Sequence, residues 1–424
     1  MLRKHRSTAS RAKPISLLTS LGLVVAFLAG CSSSSTHNAN TGGSANTAQG
    51  SGVTSANSSA TPTGSTWTLG QITTASGPAS STNGKAQGVL KAWEEWTNAH
   101  GGIKGHPVNV IFEDDQQTPS VGLADAQTLI HDNVLAVVGE SSTTTKTWGT
   151  AISQAGIPVV GGNPTSPPFT VDPDFYSQAA TFSSGAYLLV KAAQLTGVKK
   201  LAVLYCAENP ACAEFNPLVQ KAVQEIGGIS VAYTGAVSAT APSYTAPCLA
   251  AKDSGADGLI MTLANSTLTS VATQCNQQGY KPEVVGAVGS ISLPTWTSNP
   301  AFNNASVQID TFPWWDTSNP AIAEFNHAMQ QYDPTALQDP SIAASTWTAA
   351  MLFEEAAKDG NLGDHPTPAE VTSALNSISN DTLGGLSAPL TFTNGNRTIK
   401  CGRFATISNG KFSLVQNGQY FCSP

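Results

Sequence analysis

Residues 85–118 read KAQGVLKAWEEWTNAHGGIKGHPVNVIFEDDQQT. Val89, Trp93 and Trp96 recur at i, i+4 and i+7, which is one face of a helix running from Lys85 to His100. Gly101-Gly102 stops it, since glycine takes the left-handed backbone that a helix end needs. Val108 to Phe112 is then a strand, ending at Glu113-Asp114-Asp115. A helix closed by glycines and followed at once by a strand is half of a βαβ unit, so the chain is expected to be α/β with parallel sheet.

The same period continues on both sides. Trp67 to Ile72 alternates and is a strand, followed by a Gly/Pro/Ser loop from Thr73 to Gly84. Ser120 to His131 is a helix; Val134 to Val138 and Ile157 to Val160 are strands ended by Gly139-Glu140-Ser141-Ser142 and Gly161-Gly162-Asn163-Pro164-Thr165. The pattern then restarts. Tyr187–Thr196, Pro217–Ile226 and Leu268–Gln278 are helices, and Leu201–Tyr205, Ser230–Tyr233, Gly258–Thr262 and Glu283–Gly286 are strands. Two α/β lobes in series follow. Ala321–Tyr332 and Ala343–Lys358 are later helices, and the tail holds short strands with Asn-Gly turns at 394–395, 409–410 and 417–418.

The N-terminus carries an address. Arg3, Lys4, Arg6, Arg11 and Lys13 precede an apolar run from Ile15 to Leu28, which is short for a membrane span. Leu28-Ala29-Gly30-Cys31 resembles the lipobox of bacterial lipoprotein signal peptides. It implies that residues 1–30 are a signal peptide and that Cys31 is lipidated, anchoring the chain on the outer face of the cell membrane. Two acyl chains suffice for stable anchoring. Residues 31–65 are mostly Ser, Thr, Gly, Ala and Asn, cannot bury a core, and read as a flexible tether.

Roughly 360 residues remain, enough for two domains. Charged residues are 11% of the chain and the net charge is −7, with no basic patch, so nucleic acid is excluded as a partner. Of seven cysteines, six remain beside Cys31. An even number in an exported protein reads as disulfides. Locality suggests Cys206 with Cys212, Cys248 with Cys275 and Cys401 with Cys422, out of fifteen pairings that six cysteines allow. No cysteine pair has zinc-knuckle spacing, so no metal is expected, nor any cofactor.

Taken in order, these segments resemble a family. Trp93, Asn98, Gly101 to Gly105 and Phe112 to Gln116, with Gly70 through Gly77-Pro78, Val137-Val138-Gly139 before serines, Gly156 to Val160 before Asn163 to Pro167, and Pro389 to Phe392 with Asn394-Gly395, are similar to branched-chain amino-acid-type solute-binding proteins. These serve ABC importers and have the type I periplasmic-binding-protein fold. The resemblance implies two doubly wound parallel-sheet lobes joined by a three-segment hinge, with the chain crossing near 175–182, 307–313 and 385–393. It divides the chain into an N-terminal lobe of 66–178 plus 312–388 and a C-terminal lobe of 179–311 plus 389–424.

In doubly wound sheets ligands sit beyond the carboxyl ends of the strands, where helix N-termini offer free amides. In the family, a serine at the turn after the third strand and the threonine matching Thr165 hold the ligand's polar head. This points to Ser141, Ser142 and Thr165, with the Asn163 backbone beside them. Serine and threonine at strand–helix junctions also serve as plain caps. Ser76 belongs to the first loop. Tyr205, Asn265 and Gly289 end strands of the second lobe, and Trp314-Trp315 falls at a crossover. Amino-acid-binding members place an acid after the strand matching Glu283–Gly286. Here that loop is Ala287-Val288-Gly289-Ser290, which leaves Glu140 and Glu208 as the alternative acids near the rim. Asp114-Asp115 reads as a solvated strand end rather than a catalytic pair.

The resemblance implies a monomeric importer subunit that captures a small polar molecule (amino acid, amide or organic acid) and hands it to ABC permease subunits. The alternatives are a sensor of the same fold and a secreted enzyme. Gly139-Glu140-Ser141-Ser142-Thr143 lacks the closing glycine of a nucleophile elbow, and no histidines make an H-E-x-x-H pair, so the enzyme reading has no motif.

Overall fold

The computed structural model describes residues 61–208, 210–286, 293–395 and 397–424. The expected signal peptide, Cys31 and the expected tether up to residue 60 lie outside them. Thr63 and Gly64 already donate backbone hydrogen bonds to the Gly105 carbonyl, so the folded body includes them.

The stretch that opens the sequence reading forms a helix, Lys85–Ala99, and a strand, Val108–Asp114. Gly101 and Gly102 take φ of 96° and 71° between them. Asn98 ties the two elements together: its side chain both donates to the Val108 carbonyl and accepts from the Val108 amide, each at 2.8 Å. Val89, Leu90 and Trp93 are fully buried, and the Trp93 indole donates to Glu354 at 3.2 Å.

Five parallel strands make the first sheet: β1 (Trp67–Thr73), β2 (Val108–Asp114), β3 (Val137–Glu140), β4 (Val159–Gly162) and β5 (Phe175–Tyr176), in the order β2-β1-β3-β4-β5. The second sheet begins with β6 (Lys200–Cys206), β7 (Ser230–Val237), β8 (Gly258–Thr262), β9 (Glu283–Val285) and β10 (Ser306–Ile309). After a short pair, β11 (Ser379–Asp381) and β12 (Leu390–Thr391), it is completed by antiparallel β13 (Cys401–Ser408), β14 (Lys411–Leu414) and β15 (Phe421–Cys422). Its order is β14-β13-β10-β9-β8-β6-β7, with β15 on β13. Helices pack against the sheets, and the strands β3, β4, β6 and β8 are buried along most of their length, while the edge strand β7 alternates exposed and half-buried residues.

The Pro340–Asp359 helix is buried on nearly every side through its first four turns and packs on β3, β4 and the Lys85–Ala99 helix. A helix apolar all round belongs in the interior. The chain thus returns to the first lobe after β10. Leu390, Phe392 and Ile399 still pack in that lobe's core, and the chain joins the second sheet at Cys401. The outgoing and final crossings run side by side: Ala180 and Ile399 form a parallel bridge, Ser177 donates to the Arg397 carbonyl at 3.3 Å and Thr181 to the Ile399 carbonyl at 3.2 Å.

Three helices longer than one turn escape the periodicity reading: Thr145–Gln154, Thr245–Asp253 and Pro368–Ser377. The first holds three threonines and a glycine, poor helix formers. The last has a clear signal, Thr367 and Glu370 forming a capping box ahead of the apolar positions. Asn409-Gly410 turns the β13–β14 hairpin with positive φ at both residues, but residues 393–395 and 415–418 form tight helical turns instead of hairpins. The disulfides are Cys206–Cys212, Cys248–Cys275 and Cys401–Cys422.

Candidate functional site

A cavity of about 470 Å³ lies between the carboxyl ends of the two sheets. From the first lobe it is walled by the loops that leave β1, β2, β3 and β4, and from the second by those that leave β6, β7 and β8. This is where a doubly wound sheet places its ligands.

Asp115 organises the first wall. It is fully buried, and its carboxylate accepts from Thr74 Oγ1 (2.7 Å), the Gln117 amide (2.8 Å), Thr144 Oγ1 (2.7 Å) and Ser142 Oγ (2.5 Å). Ser142 Oγ also accepts from the Trp148 indole and the Thr144 amide, both at 3.0 Å. One donation and two acceptances use the whole capacity of a hydroxyl. Asp115 is therefore no solvated strand end; the surrounding hydroxyls were the signal for its burial. Asp114 caps the neighbouring loop, accepting from the amides of Ala75, Ser76 and Gln116.

Beneath this turn lies Glu140, fully buried. Burial pushes its carboxyl up to about 8, against the pull of hydrogen bonds from the Ser142 amide, Thr145 and Ser166, so it is neutral at pH 7. Gly162 makes room for it. At φ of 144°, a Cβ on Gly162 would stand 2.3 Å from the Glu140 carbonyl oxygen.

The first wall also presents the start of a helix to the cavity. The Thr145–Gln154 helix begins at its edge, and Thr145, Lys146 and Thr147 line it. The first amides of a helix have no acceptor within it and carry its positive dipole end. Asn163 and Thr165 complete this wall, with Asn163 Oδ1 accepting from Thr165 Oγ1 at 2.6 Å.

The second wall is formed by Cys206, Glu208, Cys212 and Glu214, by Val237 and Ala239, and by Thr262 to Ala264, with Phe182 beside them. Thr262 is the register partner of Tyr205, and Val237 that of Cys206, so three adjacent strand ends form one surface.

Of the residues singled out by sequence, Ser142, Asn163 and Thr165 line the cavity. Ser141 is buried against Asn83, its hydroxyl donating at 2.9 Å, and does not line it. Ser76 is exposed outside the lining. Tyr205 is half-buried and does not line the cavity, whereas its neighbour Cys206 does. Asn265 is buried where the lobes touch: its amide donates to Thr82 Oγ1 at 3.1 Å and its side chain to Asp339. Trp314 and Trp315 pack on each other and on Phe412 rather than on the cleft. Gly289 lies outside the described residues. Sequence reading missed Thr143 to Thr147, for which the threonine run before a helix was the only signal, and Phe182, Glu214 and Leu263, which carried none.

The model of the family described as periplasmic binding protein matches residues 66–411. The chain belongs to that family. As a periplasmic binding protein it acts outside the cytoplasm. Solved structures share its two-lobed fold. An extracellular ligand-binding receptor from Verminephrobacter eiseniae is 20% identical with a TM-score of 0.70, over 82% of this chain and 99% of that one. A branched-chain amino acid transporter substrate-binding protein from Streptococcus pneumoniae, in complex with isoleucine, is 17% identical with a TM-score of 0.67, over 82% and 99%. A solute-binding protein from R. palustris, in complex with 4-hydroxybenzoate, is 17% identical with a TM-score of 0.68, over 84% and 97%. No curated protein matches the sequence. Among the described residues no helix is long and apolar enough to cross a membrane.

Proposed function

We propose that this chain is the extracytoplasmic capture subunit of an ABC importer. It takes a small polar molecule into the interlobe cleft and delivers it to a permease. The observation that carries this reading is the cavity of about 470 Å³, walled by both lobes at the carboxyl ends of both parallel sheets. Solved relatives of the same fold hold isoleucine and 4-hydroxybenzoate, two molecules that share a carboxylate on an apolar body. In this chain the amides at the start of the Thr145–Gln154 helix, with Asn163 and Thr165, would receive such an acceptor head. Ser142 holds the frame rather than the ligand. Lobes of 66–178 with 312–388, and 179–311 with the tail, close around it as a monomer. Lipidated Cys31 anchors the protein outside the membrane, and residues 32–65 provide reach.

A thermal-shift screen over amino acids, amides, organic acids and sugars tests this. A true ligand raises the melting temperature by mass action, the stabilisation growing with the logarithm of its concentration over Kd. Thr165→Ala should weaken that ligand by about 1–3 kcal/mol in calorimetric titration, if a charged group is held there. Melting temperatures unmoved across all four classes would count against capture, and unchanged affinity in the variant against the site.

A further inference from the structure

Beside the cavity the two lobes touch each other directly. Asn265 opens the helix Asn265–Gln277, which follows β8 in the second lobe. It is buried, and it meets two segments of the first lobe at once. Its backbone amide donates to Thr82 Oγ1 at 3.1 Å, and its side-chain amide donates to the Asp339 carboxyl. Next to it, Ser266 Oγ donates to Ser81 Oγ at 3.2 Å. Ser81 and Thr82 belong to the connection after β1, and Asp339 precedes the Pro340–Asp359 helix. Thr82, Ala264, Thr267 and Ile342 line the cavity, so this contact stands at its border.

The contact is favourable but releasable. Asp339 is buried, and burial pushes its carboxyl up to about 6. Hydrogen bonds from Ser341 Oγ (2.8 Å), the Ile342 amide and Asn265 pull the other way, as does the charge of Lys85. Lys85 itself donates to Thr335 Oγ1 at 3.1 Å, and Asp333, on the same loop, is engaged by the Thr335 amide and hydroxyl. The second lobe meets Asp339 with a neutral side chain, Asn265. Asn265 Oδ1 is buried with no hydrogen-bond partner, which costs free energy while the lobes stay together. Parting the lobes returns both residues to water, where a carboxyl ionises in its ordinary range. The closed arrangement therefore binds a proton more tightly than the open one, and acid favours closure.

We infer that Thr82, Asn265 and Asp339 form a latch that holds the lobes together by protein–protein contact, and that a proton on Asp339 tightens it. A latch alters binding in a way that a ligand contact does not. The apparent dissociation constant is the intrinsic one divided by the closed fraction, so losing the latch weakens every ligand by one common factor. That part rests on the cleft being the capture site. Closure itself can be read with no ligand added.

The test compares the wild type with N265A and T82V, which attack the contact from opposite lobes, so that one remains should the other not fold. Small-angle scattering of the purified proteins without added ligand reads closure. Calorimetric titration of each compound found by thermal shift reads affinity. Both variants should raise the radius of gyration and weaken all ligands by the same factor, about three- to tenfold. From pH 7 to pH 5 the affinity of the wild type should rise by up to about tenfold. D339N stays neutral at both pH values and should abolish that rise. An unchanged radius of gyration with unchanged affinities would overturn the latch and leave capture standing. Weakening of some ligands but not others would also overturn it, by making Asn265 a ligand contact. A pH response that survives in D339N would overturn the role of the proton. Should no compound bind, capture falls, and scattering alone decides the latch.

Discussion

The wall made by residues 141–147 and the wall made by residues 206–214 face one cavity, yet they use their polar side chains in opposite ways. On the first, Ser142, Thr144 and Thr74 turn inward onto Asp115, and a helix start with Asn163 and Thr165 completes the wall. On the second, Glu208 turns toward the cavity while a disulfide and a neighbouring strand fix its position. The difference teaches that a conspicuous serine at a strand–helix turn can be frame, while a carboxylate in the cavity wall can stand in a loop with no motif.

The contrast breaks most visibly at Asp115. Asp115→Ala strands the hydroxyls of Thr74, Ser142 and Thr144 and the Gln117 amide in the interior. The expected loss is about 3–5 kcal/mol, read by urea unfolding. A loss under about 1 kcal/mol would mean that the first wall is not self-supporting. Next comes pH. Glu140 has its folded pKa raised to about 8, from an ordinary 4.5, so the native state keeps a proton that the unfolded state gives up. The stability it contributes is complete below about 4.5 and is lost as pH rises through about 8. Glu140→Gln removes that slope. Between pH 5 and pH 8.5 the wild type should lose on the order of a few kcal/mol that the variant retains. Parallel stability–pH curves for the two proteins would refute a neutral Glu140. Smallest is the bridge. Replacing Cys206 and Cys212 with serine opens a short loop and should cost about 2 kcal/mol. Hydrogen exchange should quicken around residues 206–214 and 237–240 but not in the first wall. Quickening that reached residues 141–147 would show the two walls to be coupled.

Much of the architecture could be read in advance because it rests on local signals. Val89, Trp93 and Trp96 mark a helical face, Gly101-Gly102 marks its end, and the apolar runs at 137–138 and 201–204 are too short for anything but buried strands. The family resemblance supplied the rest of the order. The site was only partly legible. Asn163 and Thr165 follow a strand end directly, so their place in the wall could be inferred. Tyr205 also lies at a strand end, but the lining starts one residue later at Cys206, an offset that sequence alone does not fix. Asn265 sits at the rim and is spent on the contact with Thr82 across the lobes, a pairing between residues 183 apart that no local pattern encodes. Asp115 looked like solvent because it follows two other acids; its burial depends on Thr74 from one loop and on Ser142 and Thr144 from another.

The pairing of Ala180 with Ile399 has a mechanical consequence. Two crossing segments bonded edge to edge form a ribbon, and a ribbon flexes readily across its flat face while resisting shear and torsion. Three separate tethers would let the halves wander independently. A ribbon restricts any relative motion of the lobes to fewer directions than three separate tethers would.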